Sequence, residues 1–194
     1  DTVTYRSSGV NFTLGGAENV SETTVEFDGT YTLETPAAEG YTFLGWYVLD
    51  ENGNPVRVTE ISYSVVGGAN TTVEALWASD IVFESVETSD TQRDWVAWHR
   101  TFSANVTISG GALCGAYADM DGISVYTKYT FTLKGTAYGD DIGYVESDGF
   151  LASASCSKDG NSAANRKYEI SVELIYSCGG NELGRASATT SKGF

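Results

Sequence analysis

Apolar and polar residues alternate over several long stretches of this chain. From Ile123 to Lys134, the odd positions (Val125, Tyr129, Phe131, Leu133) are mainly apolar and the even ones mainly polar. Tyr168 to Leu174 repeats the pattern, and Phe102, Ala104, Val106 and Ile108 share one face of a third run. A period of two is that of a strand with one face on a core and the other in water. Gly110-Gly111, Asp121-Gly122, Gly139-Asp140-Asp141, Asp159-Gly160-Asn161 and Gly179-Gly180-Asn181 punctuate these runs. Strands of this length between Gly-containing turns predict an antiparallel β-sandwich. The N-terminal part has shorter candidates around Val3–Tyr5, Thr23–Phe27, Tyr41–Leu49 and Thr72–Trp77. Asp50-Glu51-Asn52-Gly53-Asn54-Pro55 is a strong turn signal, because Asn and Gly accept positive φ at low cost. Helix signals are nearly absent; one weak turn near Thr59–Ser64 is the best candidate. The expected fold class is therefore all-β.

Composition sharpens the division. The chain has 194 residues and a net charge of −15, from 26 acidic and 11 basic residues. A boundary near Ala78-Ser79-Asp80 leaves 11 acidic and 2 basic residues before it, and 15 acidic and 9 basic after it. We expect a first domain at 1–78 and a second at 79–194. The charge argues against a nucleic-acid partner, whose phosphates need a basic surface, and against a polybasic grip on anionic lipid. No apolar run reaches the roughly 18 residues of a membrane-spanning helix. The chain opens on Asp1 without a signal-like apolar region, so it reads as a processed chain or a part of something longer.

Gly40-Tyr41-Thr42-Phe43-Leu44-Gly45-Trp46-Tyr47, then Gly53, Tyr63 and Thr72-Val73-Glu74-Ala75-Leu76-Trp77, form two aromatic motifs at a definite spacing. Together with Val3-Thr4-Tyr5 and Tyr31-Thr32-Leu33, they resemble the Listeria–Bacteroides repeat, also called the internalin B-repeat. The likeness covers roughly residues 1–77 and departs from the family in the long Gly9–Ser21 stretch. It implies a small β-grasp (ubiquitin-like) module of an exported bacterial protein, displayed on the cell envelope beside other β modules. It brings no catalytic residues. Trp46 and Trp77 read as core, Gly45 as a bulge or close backbone approach, and a groove lined by Tyr41, Tyr47 and Tyr63 is the alternative. Residues 79–194 resemble no family; their length suits an immunoglobulin-like sandwich.

Candidate chemistry is sparse. Cys114, Cys156 and Cys178 all fall after the boundary. Either Cys156 and Cys178 form a disulfide, which an exported protein permits, or all three are buried thiols. The chain has one histidine, His99, in Trp95-Val96-Ala97-Trp98-His99-Arg100. Trp95 and Trp98 point to opposite faces of a regular strand. One can be core while the other, with His99 and Arg100, forms an exposed platform for a sugar ring. The plainer reading has one tryptophan in the core and the other between domains. Asp119-Met120-Asp121-Gly122 offers hard oxygen ligands for Ca²⁺ through Asp119 and Asp121 but lacks the rest of an EF-hand. Asp140 and Asp141 would add to it only if the loops meet. Neither that pair nor Glu146 with Asp148 supplies two carboxyl groups across a cleft, as glycoside hydrolysis needs. Lys128, Lys134 and Lys167, with Asn105 and Glu173, are candidates for an intramolecular Lys–Asn bond. The sequons at Asn11, Asn19, Asn70 and Asn105 read as chance in a Thr-rich chain.

These readings converge on a non-enzymatic module of an exported bacterial surface protein, with a spacer or adhesive role. The alternative is a carbohydrate-binding accessory domain of a larger extracellular enzyme. The expected partner is a host or cell-wall protein or glycan, with no cofactor, no nucleic acid, no direct membrane insertion and a monomeric state.

Overall fold

The computed structural model describes residues 1–62, 70–96, 99–134, 140–161 and 167–193, with the side chains of 140–142 and 161 outside that description. The described residues form strands and connecting turns and no helix. None of them forms a helix long and apolar enough to cross a membrane. The chain divides into two units. The first holds Asp1–Asp80, Gly111–Ile123 and Ser177–Gly184; the second holds Ile81–Gly110, Ser124–Tyr176 and Arg185–Phe194. The first crossing falls at Asp80, beside the expected boundary, while two later segments cluster with the first unit.

The first unit is built on a sheet of β1 (Thr2–Arg6), β4 (Glu22–Glu26), β6 (Tyr41–Leu49), β7 (Pro55–Val58) and β9 (Asn70–Ser79), in the order β4-β1-β9-β6-β7. β1 runs parallel to β9, and the other neighbours are antiparallel. Beyond the end of β1, the same edge of β9 is taken by β12 (Leu113–Gly115), which pairs Gly115 with Leu76 and Leu113 with Ala78. Two short pairs complete the unit: β2 (Phe12–Leu14) with β3 (Ala17–Val20), and β5 (Tyr31–Thr32) with β8 (Glu60–Ile61). The helical turn expected at Thr59–Ser64 is corrected here. Glu60–Ile61 is a strand, because Ile61 is fully buried opposite Tyr31, and burial of an apolar residue outweighs a weak helical preference. Tyr63 and Ser64 lie outside the described residues.

Alternation along β9 decides what each sheet face buries. Val73, Ala75 and Trp77 join Val3, Tyr5, Phe12, Leu14, Trp46 and Ile61 in one core, while Leu76 and Ala78 are buried on the opposite face. β6 does the same with a break. Its register with β9 slips between Phe43 and Gly45, so Leu44 through Tyr47 are all buried. A bulge of this kind inserts one residue and turns the strand. Gly45 suits it, having φ +154° and Arg57 Nε only 2.8 Å from where a Cβ would stand. The bulge puts Trp46 on the first face, where Phe43 contacts both Trp46 and Trp77 at 5.2 Å between ring centroids.

The opposite face is covered by the unit's two later segments. The Tyr47 hydroxyl, neutral because burial pushes its pKa up to about 12, donates to the Leu183 carbonyl. Tyr117 packs edge-on to Tyr47. Gly184 lies against Leu44, and a Cβ there would meet the Leu44 carbonyl oxygen at 2.9 Å.

The second unit is sandwich-like, with two antiparallel-built sheets. One has β11 (His99–Ser109) between β10 (Val82–Gln92) and β15 (Ser153–Asn161). The other has the order β14 (Asp140–Asp148), β13 (Ile123–Lys134), β16 (Lys167–Cys178), β17 (Asn181–Gly193). Phe102, Ala104, Val106 and Ile108 are buried on β11, Tyr129, Phe131 and Leu133 on β13, and Tyr168 through Tyr176 at every second position of β16. The predicted alternation is thus the pattern of burial. The polar exception, Thr127, is fully buried and satisfied. Its hydroxyl donates to the Gly149 carbonyl at 2.7 Å and accepts from the Leu151 N–H at 3.1 Å.

Candidate functional site

The sequence candidates separate once they are placed. Tyr41 and Tyr47 fall on opposite faces of β6, since the bulge at Leu44–Gly45 lies between them. Tyr41 packs beside the Trp46 core and Tyr47 is buried at 1% exposure on the other side. They line no common groove, and Tyr63 lies outside the described residues. All three cysteines are free thiols, each half-buried, so no Cys156–Cys178 bridge is present. Cys178 donates weakly to the Asp121 carbonyl at 3.8 Å, and Cys156 lies on β15 beside Gly143 of β14.

Asp119 and Asp121 are exposed in the loop after β12. Among the described residues, no group of three or more His, Cys, Asp or Glu is placed to hold a metal ion. The side chains of Asp140 and Asp141 lie outside the description. The candidates for a Lys–Asn bond engage other partners: Lys128 with Glu146 at 3.3 Å, Lys134 with Glu169 at 3.8 Å, and Glu173 with Arg185 at 3.1 Å. Lys167 and Asn105 are exposed. Such pairs on solvated strands contribute little to stability.

What remains is the tip of the β10–β11 hairpin. Trp95 stands there at 92% exposure, the most exposed large apolar side chain described. Trp98 lies outside the described residues. Around Trp95 the loop is tied down at nearly every polar group. The Asp94 carboxylate accepts from the Val96 N–H at 2.8 Å through Oδ1 and lies 2.8 Å from His99 Nδ1 through Oδ2. A carboxylate can only accept, so Nδ1 carries the hydrogen. The Asp94 carbonyl accepts from Gln92 Nε2 at 2.6 Å. The backbone closes with Arg93 N–H to the His99 carbonyl and His99 N–H to the Val96 carbonyl.

Further down the hairpin, Arg93 pairs with Asp159 at 2.8 Å, and Thr101 donates to the same carboxylate at 2.6 Å. Arg100 Nε pairs with Asp90 Oδ1 at 2.5 Å while its Nη2 donates to the Asp90 carbonyl at 2.9 Å. Arg100 is therefore bound into the hairpin, and the expected platform of Trp95, Trp98, His99 and Arg100 reduces, among the described residues, to Trp95 on a braced support. The bracing residues Asp94, Asp90 and Asp159 were missed in the sequence. The available signal was acid-base pairing across a hairpin, which needs the strand register to be read.

The bracing has an electrostatic signature. The hydrogen bond from His99, and next that from the Val96 N–H, hold the Asp94 carboxyl below the usual carboxylate range. A carboxylate whose folded pKa is lowered stabilises above its ordinary value near 3.9 and loses that effect as pH falls through the folded value. We therefore expect the tip to be ordered at neutral pH and to loosen below about pH 4. Amide exchange at Val96, corrected for its intrinsic pH dependence, should show protection at pH 6 that is lost at about pH 3. Unchanged protection across that range would contradict the brace.

The fold and site together define an all-β protein of two units that presents one aromatic side chain on a preordered hairpin. No family model, curated protein or solved structure matches the chain.

Proposed function

We propose that this chain is a non-enzymatic module of an exported bacterial surface protein, acting as a spacer with an adhesive role. The observation that carries the reading is how the first unit uses its motif residues. Trp46 and Trp77, the two most specific positions of the resemblance to the internalin B-repeat, are buried on one sheet face and joined through Phe43. The motifs thus build a scaffold and leave no reactive group exposed by their own logic. The order β4-β1-β9-β6-β7, with its first and last strands parallel at the centre, supports the β-grasp form of that repeat. The second unit, with two sheets and inward alternation, supports an immunoglobulin-like partner module. The charge of −15 suits a solvated, self-repelling surface element. Antibodies raised against the purified chain test the assignment on intact cells that make it. Labelling of unpermeabilised cells is the expected outcome; labelling only after permeabilisation would overturn it.

A further inference from the structure

We propose that the β10–β11 tip is a binding site for neutral carbohydrate, with Trp95 as the stacking face and Asp94 as the residue that positions it. This goes beyond the spacer reading, which needs no ligand. The first support is the exposure of Trp95, 92% for a side chain that folding ordinarily removes from water. The second is preorganisation. Asp94, Gln92 and His99 fix the backbone on both sides of Trp95 through bonds of 2.6–3.0 Å. A loop already ordered does not have to lose that freedom when a ligand binds.

Size and charge select the ligand. One indole presents roughly 200 Å² of apolar surface, far below the roughly 1,200 Å² of a stable protein interface. It matches a single pyranose ring, whose axial C–H bonds make one flat apolar face within a rim of hydroxyls. The surroundings of Trp95 are polar: Asp94, Arg93 and His99 can meet hydroxyls at the ring's edge, as a small number of polar groups does in small-ligand sites generally. Arg93 is paired with Asp159 and Arg100 with Asp90, so the cations of the hairpin are compensated, and the chain as a whole carries −15. That balance disfavours anionic polymers and anionic lipid surfaces and leaves neutral glycans.

A site this small binds weakly, with a dissociation constant on the order of 1 mM for a single sugar, and gains from multivalent presentation. The test uses the whole chain on an array of neutral oligosaccharides ending in glucose, galactose, mannose or N-acetylglucosamine, followed by titration of the Trp95 indole resonance. Vesicles of phosphatidylcholine with phosphatidylglycerol and an acidic polysaccharide serve as the competing surfaces. We expect glycan binding that falls at least about 10-fold in Trp95→Ala and by only a few-fold in Trp95→Tyr, which keeps an aromatic face. Asp94→Ala should weaken binding through lost order at Val96, and Asp94→Asn, which still accepts from that N–H, should restore much of it. Binding unaffected by Trp95→Ala, binding confined to the vesicles or the acidic polymer, or no glycan binding at millimolar concentration would each overturn the proposal. Failure here together with surface labelling of intact cells would leave the spacer reading standing.

Discussion

Gly115→Ala is expected to destabilise the chain by about 3 kcal/mol, which for a protein of this length lowers the melting temperature by roughly 6–12 °C. A Cβ at Gly115 would stand 2.4 Å from the Ala75 carbonyl oxygen and 3.4 Å from Leu76 Cα. Both neighbours are backbone of the central strand β9, so neither can rotate away as a side chain would. The Gly115 φ of +132° adds conformational strain for any residue with a Cβ. Relief would require β12 to lift from β9, giving up the pairing of Leu113 with Ala78 and Gly115 with Leu76. Gly16→Ala is the control, since Gly16 has no atom within 4 Å of the added Cβ and no positive φ; it should change stability by less than about 0.5 kcal/mol. Chemical denaturation of the two variants beside the parent chain decides the matter. Equal midpoints for Gly115→Ala and the parent would mean that β12 does not seat on β9.

Trp46→Ala should cost about 3–5 kcal/mol, the range for removing a large aromatic from a packed core. Trp46 is 2% exposed and meets Tyr5 at 4.8 Å, Phe43 at 5.2 Å and Phe12 at 5.9 Å between ring centroids. Those three residues come from β1, β6 and β2, so the cavity would open where the short hairpin meets the main sheet. A polar contribution adds to the apolar one. The indole N–H donates to the Glu34 carbonyl at 2.7 Å, while the Glu34 N–H donates to the Tyr5 hydroxyl at 3.2 Å. Trp46 and Tyr5 thus clamp the two backbone groups of one residue. Trp46→Phe keeps most of the ring volume and removes the donor, leaving the Glu34 carbonyl without its partner at about 1–3 kcal/mol. The order expected in urea denaturation is parent, then Trp46→Phe, then Trp46→Ala. A Trp46→Ala midpoint within error of the parent would remove Trp46 from the core.

The comparison of sequence with structure turns on the range of each interaction. Alternation is a local property, so the inward faces of Phe102–Ile108, Ile123–Lys134 and Tyr168–Leu174 were legible without a fold. So were the turn at Asp50–Asn54, where the Asp50 carboxylate accepts from the N–H groups of Asn52 and Asn54, and the buried state of Trp46 and Trp77. The hairpin Phe12–Val20 was hidden inside a stretch read as an insertion, although Phe12-Thr13-Leu14 before Gly15-Gly16 carries the alternation and the turn. Trp95 was legible as unusual and not as exposed, because odd spacing from Trp98 leaves open which of the two meets solvent.

By itself, then, the amino-acid order determined an all-strand protein, its turns, its inward faces and the tryptophans of its first core, since backbone preference and period-two burial act over a few residues. Tertiary structure alone decided that Gly111–Ile123 and Ser177–Gly184 complete the first unit, that Tyr41 and Tyr47 face opposite ways, and that Arg100 closes on Asp90 while Trp95 stays in water. Each of these depends on which apolar face lacks a cover and which charge lies across a strand pair. Both are set by residues distant in the chain.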